Sequence, residues 1–323
     1  MCDLTIENLV SSLDEVKSTR RAGLVTHQIT DSFESKLQES FLHFDAGAYL
    51  FSTATTAQSY SESLLILDGE CDLVKLDSSN LPIKVYSLDS SSQNTKIYMS
   101  FDSKSSYLLI IKSTKALFFH AQVESTYPLI ERFVKTHDVV SLSPKEPSAE
   151  IYTAPIEKET HKVFRRKDQT FAIGNIDLDA LHSHLKAESL DRARICLHNN
   201  DNSALQEMIM VFDRANVVLP AYHPDKDESI LVIRGSAVII IFDEFGGIKK
   251  RIQLEAWGIT SSNPCFFRIK RGVIHTLLVS SDYAILKETT TGPFQSTSSI
   301  VPIWALDNYR QDLYQEHTLD CEN

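Results

Sequence analysis

The chain has 323 residues, of which 42% are hydrophobic, 23% charged and 9% aromatic, enough apolar material for two domain-sized cores. With 32 Lys and Arg against 43 Asp and Glu, the net charge is −11, which argues against a phosphate-backbone partner, because that affinity is built from clustered cations. Two small basic knots, Arg165-Arg166-Lys167 and Lys249-Lys250-Arg251, read as solvated turn or strand faces, so no nucleic acid is expected.

The chain opens Met-Cys-Asp-Leu-Thr-Ile-Glu, acidic and without an apolar secretory segment. No run reaches the roughly 18 apolar residues of a membrane span. The most apolar stretch, 230–242, is broken by Arg234, Gly235 and Ser236 and reads as two strands and a turn. Cys2, Cys71, Cys196, Cys265 and Cys321 are far apart with no Cys-x-x-Cys pair. That is the pattern of reduced thiols and not of a disulfide frame or a zinc knuckle. A cytoplasmic protein with no membrane contact is expected.

An internal repeat organises the chain. Leu37-Gln38-Glu39 followed by Phe44-Asp45 matches Leu205-Gln206-Glu207 followed by Phe212-Asp213. Residues 61–69, ending Leu-Asp-Gly, match 227–235, ending Ile-Arg-Gly, and the offset moves only from 168 to 166. Upstream, Arg21 and His27 are matched with Arg192 and His198. A duplicated unit of about 140 residues follows, giving a domain over 1–138, a linker over 139–172 and a second domain over 173–323.

Each unit opens with a short amphipathic helix, carried by Ile6, Leu9, Val10 and Leu13 in one copy and by Ile176, Leu178, Leu181 and Leu185 in the other. Short strands rich in Val, Ile, Phe and Tyr follow, separated by turn signals. Asp243-Glu244-Phe245-Gly246-Gly247 is a hairpin turn between strands at 238–242 and 248–254. Such a unit suggests a small antiparallel sandwich or barrel. The linker, rich in Pro and Ser, has a candidate strand at 162–164, and Trp304, Leu306, Tyr309 and Leu313 form a closing helix or strap.

The chemistry concentrates in the second copy. His223 is followed by Glu228, then, after six intervening residues, by Gly235, and later by Lys270-Arg271-Gly272-Val273-Ile274-His275. On a strand, residue 221 and His223 face one side while Tyr222 faces the other. Glu228 and His275, on two further strands, complete two imidazoles and one carboxylate on one face, a set suited to Fe(II), Mn(II), Ni(II) or Zn(II).

These two segments resemble the two motifs of the cupin superfamily. The stretch ending at His198, the run His223-Pro-Asp-Lys-Asp-Glu-Ser229 and the segment Lys287-Glu288 through Gly292-Pro293-Phe294 resemble the WbuC type of cupin-fold metalloprotein. The resemblance implies an all-β bicupin of two tandem jelly-roll barrels with short helices at the unit starts. It also implies one divalent transition metal on His223, Glu228 and His275, and a small polar substrate such as a sugar or nucleotide sugar of surface-polysaccharide metabolism. Barrels of this type pair through exposed strands, which suggests a homodimer.

The sequence departs from the family pattern at two places. The first histidine falls at Ala221, and the proline of the second motif falls at Lys270, a cation expected near the pocket rim. In the first copy Ala57 and Tyr107 replace the two histidines and Glu62 alone remains, so no metal is expected there. His182-Ser-His184-Leu-Lys-Ala-Glu188 imitates the motif spacing, but on a helix the two imidazoles point about 200° apart, and both read as surface residues. No phosphate loop, dinucleotide fingerprint or nucleophile elbow is present, and Cys265 reads as a buried strand cysteine. Two functions stay open: a metal-dependent cupin whose catalytic group the sequence does not name, and a non-enzymatic bicupin that binds sugar or assembles without metal.

Overall fold

The computed structural model describes residues 16–21, 24–29, 37–45, 49–52, 61–76, 82–93, 95–102, 106–123, 157–165 and 171–307, apart from 217, 260, 261 and 296. The first unit contains β1 (Val16–Arg21), β2 (Leu24–Ile29), β3 (Leu37–Asp45), β4 (Tyr49–Ser52) and β5 (Ser61–Asp68). It continues with β6 (Glu70–Leu76), β7 (Pro82–Asp89), β8 (Lys96–Asp102), β9 (Ser106–Ile111) and β10 (Lys115–Val123). Next come β11 (Glu157–Lys158), β12 (Val163–Arg165), β13 (Phe171–Gly174), α1 (Asn175–Ala187), β14 (Arg192–Cys196) and β15 (Leu205–Asp213). The second unit ends with β16 (Glu228–Arg234), β17 (Ser236–Phe242), β18 (Ile248–Glu255), β19 (Phe266–Ile269), β20 (His275–Val279), β21 (Tyr283–Thr291) and α2 (Ile303–Asp307).

The duplication is visible strand for strand. The order β3-β10-β5-β8 recurs as β15-β21-β16-β19, and β7-β6-β9 recurs as β18-β17-β20. Register agrees too: Leu37 faces Val123 as Leu205 faces Thr291, and Glu62 faces Gln122 as Glu228 faces Thr290. Gly69 and Gly235 both have positive φ, and a Cβ at either would strike the carbonyl of Lys115 or Tyr283, so each tight turn requires glycine. The upstream match needs correcting. Leu24, not Arg21, stands opposite Phe44 where Arg192 stands opposite Phe212, so Arg21 and His27 lie three residues out of step with Arg192 and His198.

Strands β3, β10, β15 and β21 are buried on both faces, one face lining their own barrel and the other meeting the opposite unit. They therefore bury polar as well as apolar residues, among them Glu39, Gln122, Glu207 and Lys287. Residues from the expected linker join these sheets: β12 pairs in parallel with β14, one residue beyond the expected strand, and β13 pairs with β8 of the first unit. In α1, Leu178, Leu181 and Leu185 are buried, but Ile176 is exposed. Trp304 of α2 packs on Phe242 at 5.4 Å. The expected first-unit helix and residues from 308 onward lie outside the described residues. Cys71, Cys196 and Cys265 are buried and outside any disulfide, and among the described residues no helix is long and apolar enough to cross a membrane.

The two units meet across an aromatic cluster in which Phe41, Phe119 and Phe266 sit 5.3–5.7 Å apart between centroids. Around it the contacts are reciprocal. Ser63 donates to Glu207 at 2.9 Å, and the equivalent Ser229 donates to the equivalent Glu39 at 2.6 Å. This is the self-complementary pattern of a two-fold interface, made here within one chain. Tyr98 also donates to Glu207, at 2.6 Å. The Lys287 ammonium bonds to Glu207 and Thr289 and lies 4.8 Å over the Phe119 ring. Arg268 approaches Glu39 at 3.6 Å and Asp227 at 3.1 Å. Burial pushes the Glu39 carboxyl up despite the nearby Arg268.

The strand carrying Glu207 is also held from behind. His198 is buried with its Nδ1 3.0 Å from the Glu207 carbonyl and 3.2 Å from its amide nitrogen. Burial, reinforced by Arg165, depresses His198 to about 4 from its ordinary 6.5. A neutral buried imidazole that protonates when the chain unfolds makes stability fall as pH drops from 6.5 towards 4. The loss reaches roughly 3 kcal/mol, and His198→Gln should flatten that part of a stability–pH profile measured by denaturant unfolding. At the interface, Lys287→Met should cost about 3–5 kcal/mol by stranding Glu207. The Glu207→Gln/Lys287→Met pair should recover part of that loss in a double-mutant cycle.

Candidate functional site

The inner face of the second barrel carries Gln206, Met208, Met210 and Phe212 from β15, with Glu288 and Thr290 from β21 and Glu228 and Ile230 from β16. One end is plugged by Val232, Ala237, Leu254, Phe267 and Leu286. The other end is a cavity of about 530 Å3 into which His223, Glu228, His275 and Glu288 project. The predicted site residues are therefore brought together.

Local pairing sets their directions. Ala221 and His275 exchange both backbone hydrogen bonds at 3.0 Å, so a longer side chain at 221 would stand beside the His275 ring. Tyr222 pairs with Ile300, leaving His223 on the cavity side. Gly272, with φ +77, makes the turn that donates to the His223 carbonyl at 2.7 Å and leads into β20.

Each imidazole is held through Nδ1, His223 on the Ser298 carbonyl at 2.8 Å and His275 on the Val273 carbonyl at 2.9 Å. Nε2 of each then faces the same Glu228 oxygen, at 2.9 Å for His223 and 3.8 Å for His275. Burial alone would raise Glu228, but the His223 hydrogen bond and the two imidazoles outweigh it and hold the carboxyl below its usual value. Conversely, burial would lower His223, and Glu228 raises it. Among the described residues, no group of three His, Cys, Asp or Glu side chains is arranged to hold a metal ion. His223 and Glu228 instead contact each other directly. The donor types, and the anchoring that turns both Nε2 atoms inward, do suit a divalent transition ion.

Residues outside the motif complete the cavity. Glu288 is pushed up to about 8, mainly by burial and then by the Glu228 charge. Arg165 and Arg194 reach the cavity from β12 and β14. Lys226 lines it, whereas Lys270 is exposed and does not. Glu288 stands opposite Ile230, two residues along β16 from Glu228, a neighbour that only the strand register reveals.

The first barrel differs. Glu62 is not alone, because the buried His120 lies 2.9 Å from it at the position equivalent to Glu288. Tyr107 is buried on β9, and Ala57 lies outside the described residues. The imitation motif sits on α1, but its histidines are half-buried and not surface residues. His182 stacks on Tyr283 at 3.8 Å, and His184 reaches the His161 carbonyl at 2.8 Å.

A family described as a domain of unknown function, DUF6016, matches residues 173–254. No curated protein matches the chain significantly. Among solved structures, a single-residue variant of Bacillus subtilis oxalate decarboxylase is similar at TM-score 0.52 and 10% identity, over 97% of this chain and 84% of that one. The same enzyme, in a study of its Mn(II) centres, gives TM-score 0.51 at the same identity and coverage. A formate complex of the Lactobacillus farciminis enzyme gives 0.49 at 13% identity, over 92% and 89%. These enzymes are bicupins, and at such identity the Bacillus likeness carries the fold and nothing finer. With its strand order repeated in two curled units, this chain has the bicupin fold, an all-β pair of tandem cupin barrels.

Proposed function

We propose that the second barrel is a metal centre, with one divalent transition ion held by His223, Glu228 and His275, and that a small polar molecule is bound or turned over beside it. The observation that carries this reading is the shared orientation of the two imidazoles. Each has Nδ1 tied to a backbone carbonyl and Nε2 turned to one carboxylate oxygen, the outer support expected of metal-bound histidines. Mn(II) is the ion named for the Bacillus subtilis enzyme, and Fe(II), Ni(II) and Zn(II) suit the same donors. When bound, such an ion supplies Lewis acidity at its open positions. Glu288, its carboxyl pushed up by burial and the Glu228 charge, faces the same cavity and is placed to exchange a proton with a group bound there. The WbuC-like segments point to a sugar or nucleotide sugar of surface-polysaccharide metabolism as the substrate.

A second reading, a bicupin that binds its ligand without metal or catalysis, is favoured by two observations. Ala221 stands where a further ligand would be, and the direct His223–Glu228 bond already satisfies the carboxylate. Elemental analysis of untagged protein purified without chelator separates the two readings. The metal reading expects about one equivalent of a transition metal, lost in His223→Ala. Metal-free protein that also fails to take up added Mn(II), Fe(II), Ni(II) or Zn(II) would establish the second reading. In addition, Ala221→His should supply a further donor next to His275 and tighten retention against a chelator by about tenfold or more.

A further inference from the structure

Several arginine side chains around the second unit are matched with acids. Arg165 lies 2.7 Å from Glu159 and 3.1 Å from Asp201, Arg234 lies 2.5 Å from Asp179, and Arg268 lies 3.1 Å from Asp227. Arg194 differs. It sits mid-strand on β14, opposite Met210, with its side chain lining the cavity. Its Nε is fully buried and has no hydrogen-bond partner among the described residues. A guanidinium donor left buried and unpaired is costly, and its planar fork matches a carboxylate or phosphate group in shape and charge.

We propose that Arg194 anchors the anionic end of the ligand of this cavity, so that the ligand is a small organic oxyanion and not a neutral sugar. The same sheet carries Glu288 on β21, two strands away, a strand separation of about 10 Å. Met208 and Met210 lie on the strand between them. A molecule with its oxyanion on Arg194 therefore lies along an apolar wall with its far end at His223, Glu228 and Glu288. The volume, about 530 Å3, is that of a small-molecule site and not of a polymer groove. This inference rests on the cavity being a ligand site, as proposed above, but not on the metal.

The test is calorimetric titration of chelator-treated full-length protein with malonate, inorganic phosphate and glucose. Saturable binding of malonate or phosphate but not of glucose is expected, and the preferred anion identifies the head group. Arg194→Gln should weaken that binding about tenfold or more, the worth of a charge-assisted hydrogen bond. Arg194→Lys, which keeps the charge but loses the fork, should fall between the two, and it serves as the folded comparison if the Gln variant melts early. Lys249→Gln, which removes an exposed charge on β18, should bind like the parent protein. Absence of saturable anion binding up to about 10 mM, equal binding by Arg194→Gln, or equal binding of glucose would overturn the assignment. The titrations use metal-free protein, so their failure leaves the metal reading intact, and an empty metal analysis leaves this inference intact.

Discussion

Glu207 is the side chain on which the arrangement of the two barrels depends. Its carboxylate is buried between the units and accepts from Ser63, Tyr98 and Lys287, while His198 braces its backbone. A carboxylate so far from water persists only where donors surround it. The neighbouring charges also account for Glu39. Glu207 is matched by Lys287 and Asp227 by Arg268, which leaves Glu39 as the odd acid, and it is Glu39 whose carboxyl burial pushes up.

The strands that make this interface also carry the candidate site, residue by residue. Glu207 faces the other unit while Gln206 and Met208 face the cavity. Ser229 faces outward and Glu228 inward, and Lys287 is followed by Glu288 in the same way. Side-chain alternation thus couples a rigid inter-unit contact to the placement of the acids in the second barrel. The two copies keep the interface nearly symmetric and let the interiors diverge. In the first barrel Glu62 is occupied by His120 and Tyr107 is buried. In the second, the equivalent positions are Glu228, Glu288 and His275 around a cavity.

Much of this could be read from the residues. The Leu-Gln-Glu and Leu-Asp-Gly/Ile-Arg-Gly matches disclosed the duplication, because turn glycines and two-sided burial leave a strong imprint. His223, Glu228 and His275 followed from motif spacing. The upstream match was three residues out, since an Arg and a His at equal spacing carry less information than a strand register. Glu288 and Arg194 went unassigned because knowing that a strand alternates does not say which face is the inner one. The repeated glutamates were visible as a repeat, but their partners lie far off in sequence, Ser63 for Glu207 and Ser229 for Glu39. Likewise, the helical histidines needed the positions of Tyr283 and His161 before they could be seen as packed.

The central claim concerns the place of an ion, and anomalous diffraction from crystals of the full chain soaked in Mn(II) addresses it most directly. The account predicts one strong anomalous peak in the second barrel, within bonding distance of His223 Nε2, His275 Nε2 and a Glu228 oxygen, and none beside Glu62. A peak elsewhere, or no peak with the His223–Glu228 hydrogen bond still in place, would contradict it.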